Sequence, residues 1–267
     1  MCSSDLELKD HVYELWLQYG GYRYARQMLV STKLMWRWVG VLHEYPESIP
    51  AAQSFGRLDH PQVKSSTEGA RSSDPMKYHN DALLLEQGLK SEPNNVRYMF
   101  YLAQSYRDSG DLDAAIGAYE RRVAAGGWEE EVWRSHLEIA RLKEKLARPF
   151  EEIHSTFLKV FDARPKRAEP LVDLARIMRT NDMFAAAYVY AKFAATLPLP
   201  DDRLFVEALC YDFSALDELS IAAYWTGRYG ECAELCTRLL SGESVPPEHR
   251  ERVLANQKFA RSKMIAG

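Results

Sequence analysis

One pattern recurs four times along the chain, at an interval of roughly 34 residues. Each copy carries a small residue, a following aromatic or apolar residue, and a turn marked by Gly or Asp. The clearest copy contains Ala103, Tyr106, Gly110, Ala115 and Tyr119. Because each such unit leaves an apolar face that only its neighbour can cover, the pattern predicts stacked helix-turn-helix repeats with a groove that holds a partner.

This interval is typical of tetratricopeptide repeats (TPRs). The helical pattern is predicted to begin after Asp74-Pro75, where Asp can cap a first helix and Pro can occupy its first position. The fold class that follows is mostly α: a TPR-like α-solenoid of about four repeats. An insertion at 201–213 is predicted to form an extra strand or a short helix, and a helix over 248–261 is predicted to cap the stack. The predicted repeats cover residues 96–127, 133–165, 168–200 and 219–239.

A β-rich segment precedes the repeats. Residues 11–43 are rich in aromatic and β-branched residues, and they predict a short antiparallel meander of three strands with a turn at Gly20-Gly21. Residues 57–64 are predicted to add an edge strand, because Pro61 limits pairing on both sides. The sequence therefore predicts two domains, 1–74 and 75–267.

Composition narrows the class of partner. The 34 basic and 38 acidic residues leave a net charge of -4, which disfavours binding to nucleic acid or to an anionic membrane. No apolar run is long enough for a membrane span, so we expect a cytoplasmic protein. The four cysteines lack the spacing of zinc, redox or disulfide motifs and are predicted to be small residues packed between helices.

Two strings resemble the end of the catalytic domain of bacterial family 2 glycosyltransferases. They are YGGYRYARQ at 19–27 and WRWVGVLHEY at 36–45, and the W-x-G-x-x-H-E string within the second is the most specific element. The resemblance implies that the meander ends a GT-A-type domain. Such an enzyme binds a nucleotide sugar, holds divalent Mn or Mg through an Asp-x-Asp motif, and transfers the sugar to an acceptor. Further segments resemble the TPR extension fused to many such enzymes: 68–72, 74–78, 98–110, 126–128 and 222–229.

The resemblance covers only the C-terminal part of such an enzyme. No Asp-x-Asp precedes Trp36, and Asp111-x-Asp113 opens a repeat helix, where acidic residues suit the positive helix end. Residues 1–6 match nothing downstream, so we expect a fragment. We expect it to be inactive alone and to hold no cofactor, because neither the metal-holding carboxylates nor the nucleotide crevice precedes His11. The partners implied are an acceptor protein or peptide, the missing N-terminal catalytic half and, in the intact enzyme, a nucleotide sugar.

The resemblance also implies site residues. His43 is the candidate metal ligand and catalytic residue, and Glu44 is the candidate that orients it; the alternative for His43 is a hydrogen-bonded histidine at a strand end. Arg37 and Trp38 are the candidate substrate-binding residues of this segment. For Arg37 the alternatives are a surface that faces phosphate and an ordinary solvated surface; for Trp38 they are stacking on a sugar and filling a core. In the repeats, three residues off the packed stripe are candidates for substrate binding: Tyr101, Gln104 and Arg134.

A second function class is a non-enzymatic TPR adaptor, with the strands capping the solenoid. A β-sheet that the repeats cover completely favours this adaptor. A truncated enzyme instead predicts an exposed sheet edge and an apolar face. That face would carry some of Trp16, Leu17, Leu29, Trp36 and Trp38.

Overall fold

The computed structural model describes residues 8–19, 22–64, 74–242 and 244–265. The described chain divides into two compact units. Unit 1 contains the described residues up to Ser135 together with Asp202–Val206, and unit 2 contains His136–Asp201 and the described residues from Glu207 onward. No helix in the described ranges combines the length and the apolar character that crossing a lipid bilayer requires.

The main sheet of unit 1 is built on strand β1 (Val12–Tyr19). It pairs antiparallel with β2 (Tyr22–Val30) and parallel with β5 (Phe55–Lys64), which lies at the edge as predicted for residues 57–64. Every residue of β1 from Val12 to Leu17 is buried, so the central strand is covered on both faces. The predicted turn at Gly20-Gly21 lies outside the described residues.

The predicted three-stranded meander is wrong in its third strand. Residues of β3 (Met35–Val39) pair antiparallel with β4 (Tyr45–Ile49) in a separate two-stranded hairpin instead of joining β2. Leu42, in the loop of this hairpin, is buried with Leu85 and Leu102 of the first helices. Burial of that side chain stabilises the packing of the hairpin on these helices by about 2 kcal/mol.

The predicted apolar face is present in part. Leu29 is exposed at the end of β2, and Trp38 on β3 is 67% exposed. Trp16 and Leu17 are buried in the sheet, and Trp36 is half-buried, with its indole nitrogen donating to the Ser31 carbonyl at 2.8 Å. The repeats therefore do not cover the strands completely.

The helices of unit 1 form the predicted hairpins. In the first full repeat, Gly110 ends its helix in the left-handed conformation (φ 91°), and the Asp111 carboxylate caps the next helix by accepting from the Ala114 amide at 3.2 Å. Ala103 and Ala115 are completely buried, which allows the two helices to approach closely. The helices are α1 (Lys77–Ser91), α2 (Val96–Ser109), α3 (Leu112–Ala124) and α4 (Glu129–Lys145), of which α4 continues into unit 2.

Unit 2 continues the alternation of helices. Fully buried alanines, among them Ala175, Ala187 and Ala222, lie where successive helices cross. The predicted insertion forms both alternatives: strand β6 (Val206–Glu207), and a π-helical turn (Cys210–Ser214) that leads into the helix beginning at Ala215. The helices are α5 (Phe150–Ala163), α6 (Glu169–Thr180), α7 (Phe184–Ala194), α8 (Ala215–Trp225), α9 (Tyr229–Ser241) and α10 (Pro247–Ile265).

Candidate functional site

The predicted catalytic residues His43 and Glu44 lie in the loop between β3 and β4. The His43 ring stacks on Tyr101 of α2, with ring centroids 3.8 Å apart and planes 12° apart. The His43 carbonyl accepts a hydrogen bond from the Arg97 guanidinium at 2.6 Å, and the Glu44 carbonyl accepts one from Arg26 at 3.3 Å. Both residues are therefore bound to neighbouring elements through their backbone carbonyls.

Arg97 is the centre of this contact. Its guanidinium lies 5.0 Å from the ring centroids of both Tyr45 and Tyr101, a cation–π geometry on two sides. Burial raises the pKa of the Tyr101 hydroxyl above its ordinary value, so the ring is neutral at physiological pH. These contacts attach the β3–β4 hairpin to α2.

The other predicted substrate-binding residues lie in different surroundings. Arg37 is paired with Glu47 across the hairpin, with Nε 2.8 Å from the carboxylate, and Trp38 next to it is mostly exposed. The buried Arg134 guanidinium lies 5.1 Å from the Tyr22 ring and 5.8 Å from the Phe205 ring. Gln104 is half-buried on α2. Among the predicted site residues, the described contacts join His43 to Tyr101.

The metal implied by the resemblance has little support at His43. A divalent cation held by the protein needs several oxygen or nitrogen ligands that converge on one point. Within the ranges that the structure describes, no group of three His, Cys, Asp or Glu side chains converges in this way. The described residues around His43 do not fit such a cation, and a role for His43 in metal binding stays a prediction from sequence.

A pocket in unit 2 was not predicted from the sequence. It has a volume of about 550 Å³ and is lined by α4, α6 and α8, which are the first helices of successive hairpins, by α10, and by the segment that precedes α8. We call it the arginine pocket, because four arginines line it: Arg141, Arg176, Arg179 and Arg252.

Each arginine of this pocket binds a carboxylate with two of its nitrogens. The Arg179 guanidinium lies 2.6 and 2.9 Å from the Glu218 oxygens, and Arg252 lies 3.0 and 2.8 Å from those of Asp217. Such planar, two-point pairs hold both side chains in fixed positions. Arg176 binds Glu144 in the same way, at 2.7 Å for both contacts.

Arg141 binds two acids at once. Its Nε lies 2.7 Å from Asp173, and one Nη lies 2.9 Å from Glu207. Burial alone lowers the pKa of Arg141, but the two carboxylates outweigh burial and leave that pKa above its ordinary value. Burial raises the pKa of the Asp173 carboxyl, even with Arg141 beside it. The pocket wall is thus a set of fixed charges of both signs.

An apolar surface completes the arginine pocket. The rings of Phe213 and His249 stack with centroids 5.5 Å apart and planes 6° apart, and Cys210 lies beside them. Burial raises the pKa of the Cys210 thiol well above its ordinary value, so the thiol stays protonated and is a poor nucleophile. The lining offers hydrogen bonds, charge and apolar contact, which are the properties of a binding surface.

Comparisons with known proteins define the fold. No protein-family model matches the chain, and no curated protein sequence matches it. Among solved structures, BtubC (BKLC) from P. vanneervenii is 14% identical, with 74% of this chain and 85% of that chain covered and a TM-score of 0.54.

Two further structures are similar at lower scores. MamA from Desulfovibrio magneticus RS-1 is 12% identical over 62% of this chain and 85% of that chain, with a TM-score of 0.47. YrrB, described as a TPR protein with an unusual peptide-binding site, is 9% identical over 68% of this chain and 84% of that chain, with a TM-score of 0.48. The chain is mostly helical with a TPR-like fold. These comparisons do not support the glycosyltransferase origin of the N-terminal strands.

Proposed function

We propose that this chain is a protein-interaction scaffold that binds a peptide segment of a partner protein in the arginine pocket of unit 2. The observation that carries the proposal is the pocket itself, a concavity of about 550 Å³ lined by α4, α6, α8 and α10. Solenoid repeats present such surfaces for extended ligands.

The chemistry of the pocket indicates the kind of peptide. A guanidinium has five N–H donors, so an arginine that already binds one carboxylate with two nitrogens retains donors for a ligand. Arg179 and Arg252 are partly exposed and can offer these donors to a second carboxylate. The Phe213 and His249 rings offer apolar contact beside them. We therefore propose a segment with an acidic side chain next to an apolar one.

The test begins with a library of acidic–apolar peptides selected on the purified full chain. The best binders are then titrated by calorimetry against the wild type and against Arg252→Gln. Arginines are frequent hot spots, so we expect Arg252→Gln to weaken binding about tenfold. Arg250→Gln is the matched control, because Arg250 lies on the same helix but is exposed and outside the pocket.

The proposal is overturned if the library yields no binder, or if the selected peptides bind Arg252→Gln and Arg179→Gln as tightly as the wild type. Higher salt should also weaken binding, because the contacts are between charges. Equal affinity at low and high salt would point to a different site.

A second candidate function rests on the sequence resemblance. In it, the chain is the C-terminal part of a family 2 glycosyltransferase, and its repeats dock the acceptor or a partner protein. The feature that favours it is the β3–β4 hairpin, which contains the whole W-x-G-x-x-H-E string and presents the exposed Trp38. Sequencing the DNA upstream of codon 1 tests it: a reading frame with an Asp-x-Asp motif supports it, and a promoter at Met1 supports the adaptor.

A further inference from the structure

The outer face of the last helix, α10, carries apolar residues that the described chain leaves exposed. Val253 and Ala260 are buried on its inner face. The opposite face has a shallow groove of about 310 Å³, in which Phe259 is 59% exposed and Leu254 is 39% exposed. A contiguous apolar patch that is left exposed and rimmed by charged residues is typical of a contact surface.

Two charges lie in the same groove. Glu251 and Lys258 line it together with Leu254, Ala255 and Phe259. Neither charge takes part in an ion pair within the residues that the structure describes. They are two helical turns apart on one face, a separation of about 10 Å along the helix.

We propose that this groove is covered by α10 of a second copy of the chain, in antiparallel orientation. The sequence of the face is self-complementary about the point between Leu254 and Ala255. Reversing the helix about that point puts Glu251 opposite Lys258 of the other copy, and Lys258 opposite its Glu251. Leu254 and Ala255 then meet at the centre, where apolar contact is worth most.

The positions of Glu251 and Lys258 favour a second copy of the chain as the partner in this groove, and they favour an antiparallel orientation of its α10. A twofold contact is isologous: each residue pair occurs twice, so one Glu and one Lys supply two ion pairs. A parallel arrangement in register would instead place Glu on Glu and Lys on Lys, which is unfavourable. An unrelated partner would need its own matched charges, whereas a second copy carries them already.

This dimer is independent of the proposed peptide binding. Of the four arginines that line the arginine pocket, Arg252 is the one on α10. It binds Asp217 of α8 and does not line the groove. One helix from each copy forms a small interface, so the dissociation constant should lie in the micromolar range.

Sedimentation equilibrium on the full chain tests the proposal, with four samples compared. We expect the wild type to dimerise. Glu251→Lys and Lys258→Glu, each alone, should weaken dimerisation about tenfold, because each puts two like-charge contacts in the interface. An equimolar mixture of these two variants should recover the wild-type affinity as a heterodimer, because positions 251 and 258 are then complementary between the chains.

Circular dichroism and the melting temperature serve as controls for folding, since all the altered side chains are exposed. Phe259→Ala should also weaken the dimer, and mixing it with either charge variant should not restore the wild-type affinity. The proposal is overturned by a wild type that stays monomeric throughout the micromolar range, by single variants that dimerise like the wild type, or by a mixture that associates no better than its two components.

Discussion

At the scale of single residues, the ion pair of Arg167 and Glu169 in unit 2 carries a high desolvation cost, because it places two charges in the interior. Both side chains are completely buried, and the closest nitrogen–oxygen distance is 2.7 Å. The Glu169 carboxylate also accepts from the Tyr211 hydroxyl at 2.9 Å and from the Glu207 amide at 3.2 Å. Such a carboxylate is tolerated in the interior because its oxygens have donors on several sides.

We expect Glu169→Gln to lower the free energy of unfolding by about 3 kcal/mol, because a neutral amide cannot compensate the buried guanidinium. Urea denaturation of the variant and the wild type measures this. The control is Glu152→Gln, which alters a partly exposed pair with Lys143 and should have a much smaller effect. Equal stability of the two variants would contradict a structural role for the buried pair.

His136 on α4 gives a pH-dependent prediction. Burial lowers the pKa of its imidazole below the ordinary value, so the folded state disfavours the charged form. A group whose pKa is lowered by folding contributes stability at pH values above its unfolded-state pKa. This contribution is lost as the pH falls from the unfolded-state pKa through the folded-state pKa. The wild-type free energy of unfolding should therefore fall relative to that of His136→Gln between about pH 7.5 and about pH 5.5. A histidine NMR titration with the His136 pKa at or above its ordinary value would contradict this.

At the scale of elements, the turns between paired helices are specified locally. Gly110 and Gly227 have positive φ values of 91° and 78°, and Asp182 has 58° at the corresponding place in another repeat. Only Gly, and less often Asn or Asp, adopts this conformation without strain. The sequence pattern predicted one such turn, marked by Gly or Asp, in each repeat, because the cause of the turn lies within a few residues of the chain.

We expect Asp111→Ala to destabilise the protein by about 1 kcal/mol, because the variant loses the hydrogen bond that caps α3. Asp111→Asn is the matched control, since Asn caps helices about as well as Asp. Thermal or urea unfolding of the three proteins provides the measurement. If the Asn variant were as unstable as the Ala variant, the charge of Asp111 and not its cap would be responsible.

The β3–β4 hairpin shows where local patterns fail. A third strand was predicted over residues 36–43, and the structure has one at Met35–Val39, but such a pattern does not specify which strand it pairs with. The position of the hairpin involves Leu42 in contact with the first helices and Arg97 in contact with Tyr45 and Tyr101. Those contacts join residues far apart in the sequence, which strand periodicity does not encode.

At the scale of the whole molecule, the TPR-like repeats were predictable and the arginine pocket was not. Repeats follow from small residues and turn residues at a fixed interval. The pocket depends on single side chains that meet across helices, such as Arg141 with Asp173, 32 residues apart, and Arg252 with Asp217, 35 residues apart. On a helix surface, either side chain alone looks like an ordinary solvated charge.

The whole chain also gives a prediction about divalent metal. A cation that binds only the folded state at a hundredfold excess over its dissociation constant adds about 2.7 kcal/mol to the free energy of unfolding. The described residues contain no converging set of three metal-ligating side chains, so we expect Mn²⁺ to leave the melting temperature unchanged. Differential scanning fluorimetry with and without Mn²⁺, and with Ca²⁺ as the control cation, provides the measurement. A rise of several degrees that Mn²⁺ causes in the wild type but not in His43→Ala would establish His43 as a ligand and would favour the glycosyltransferase origin over the adaptor.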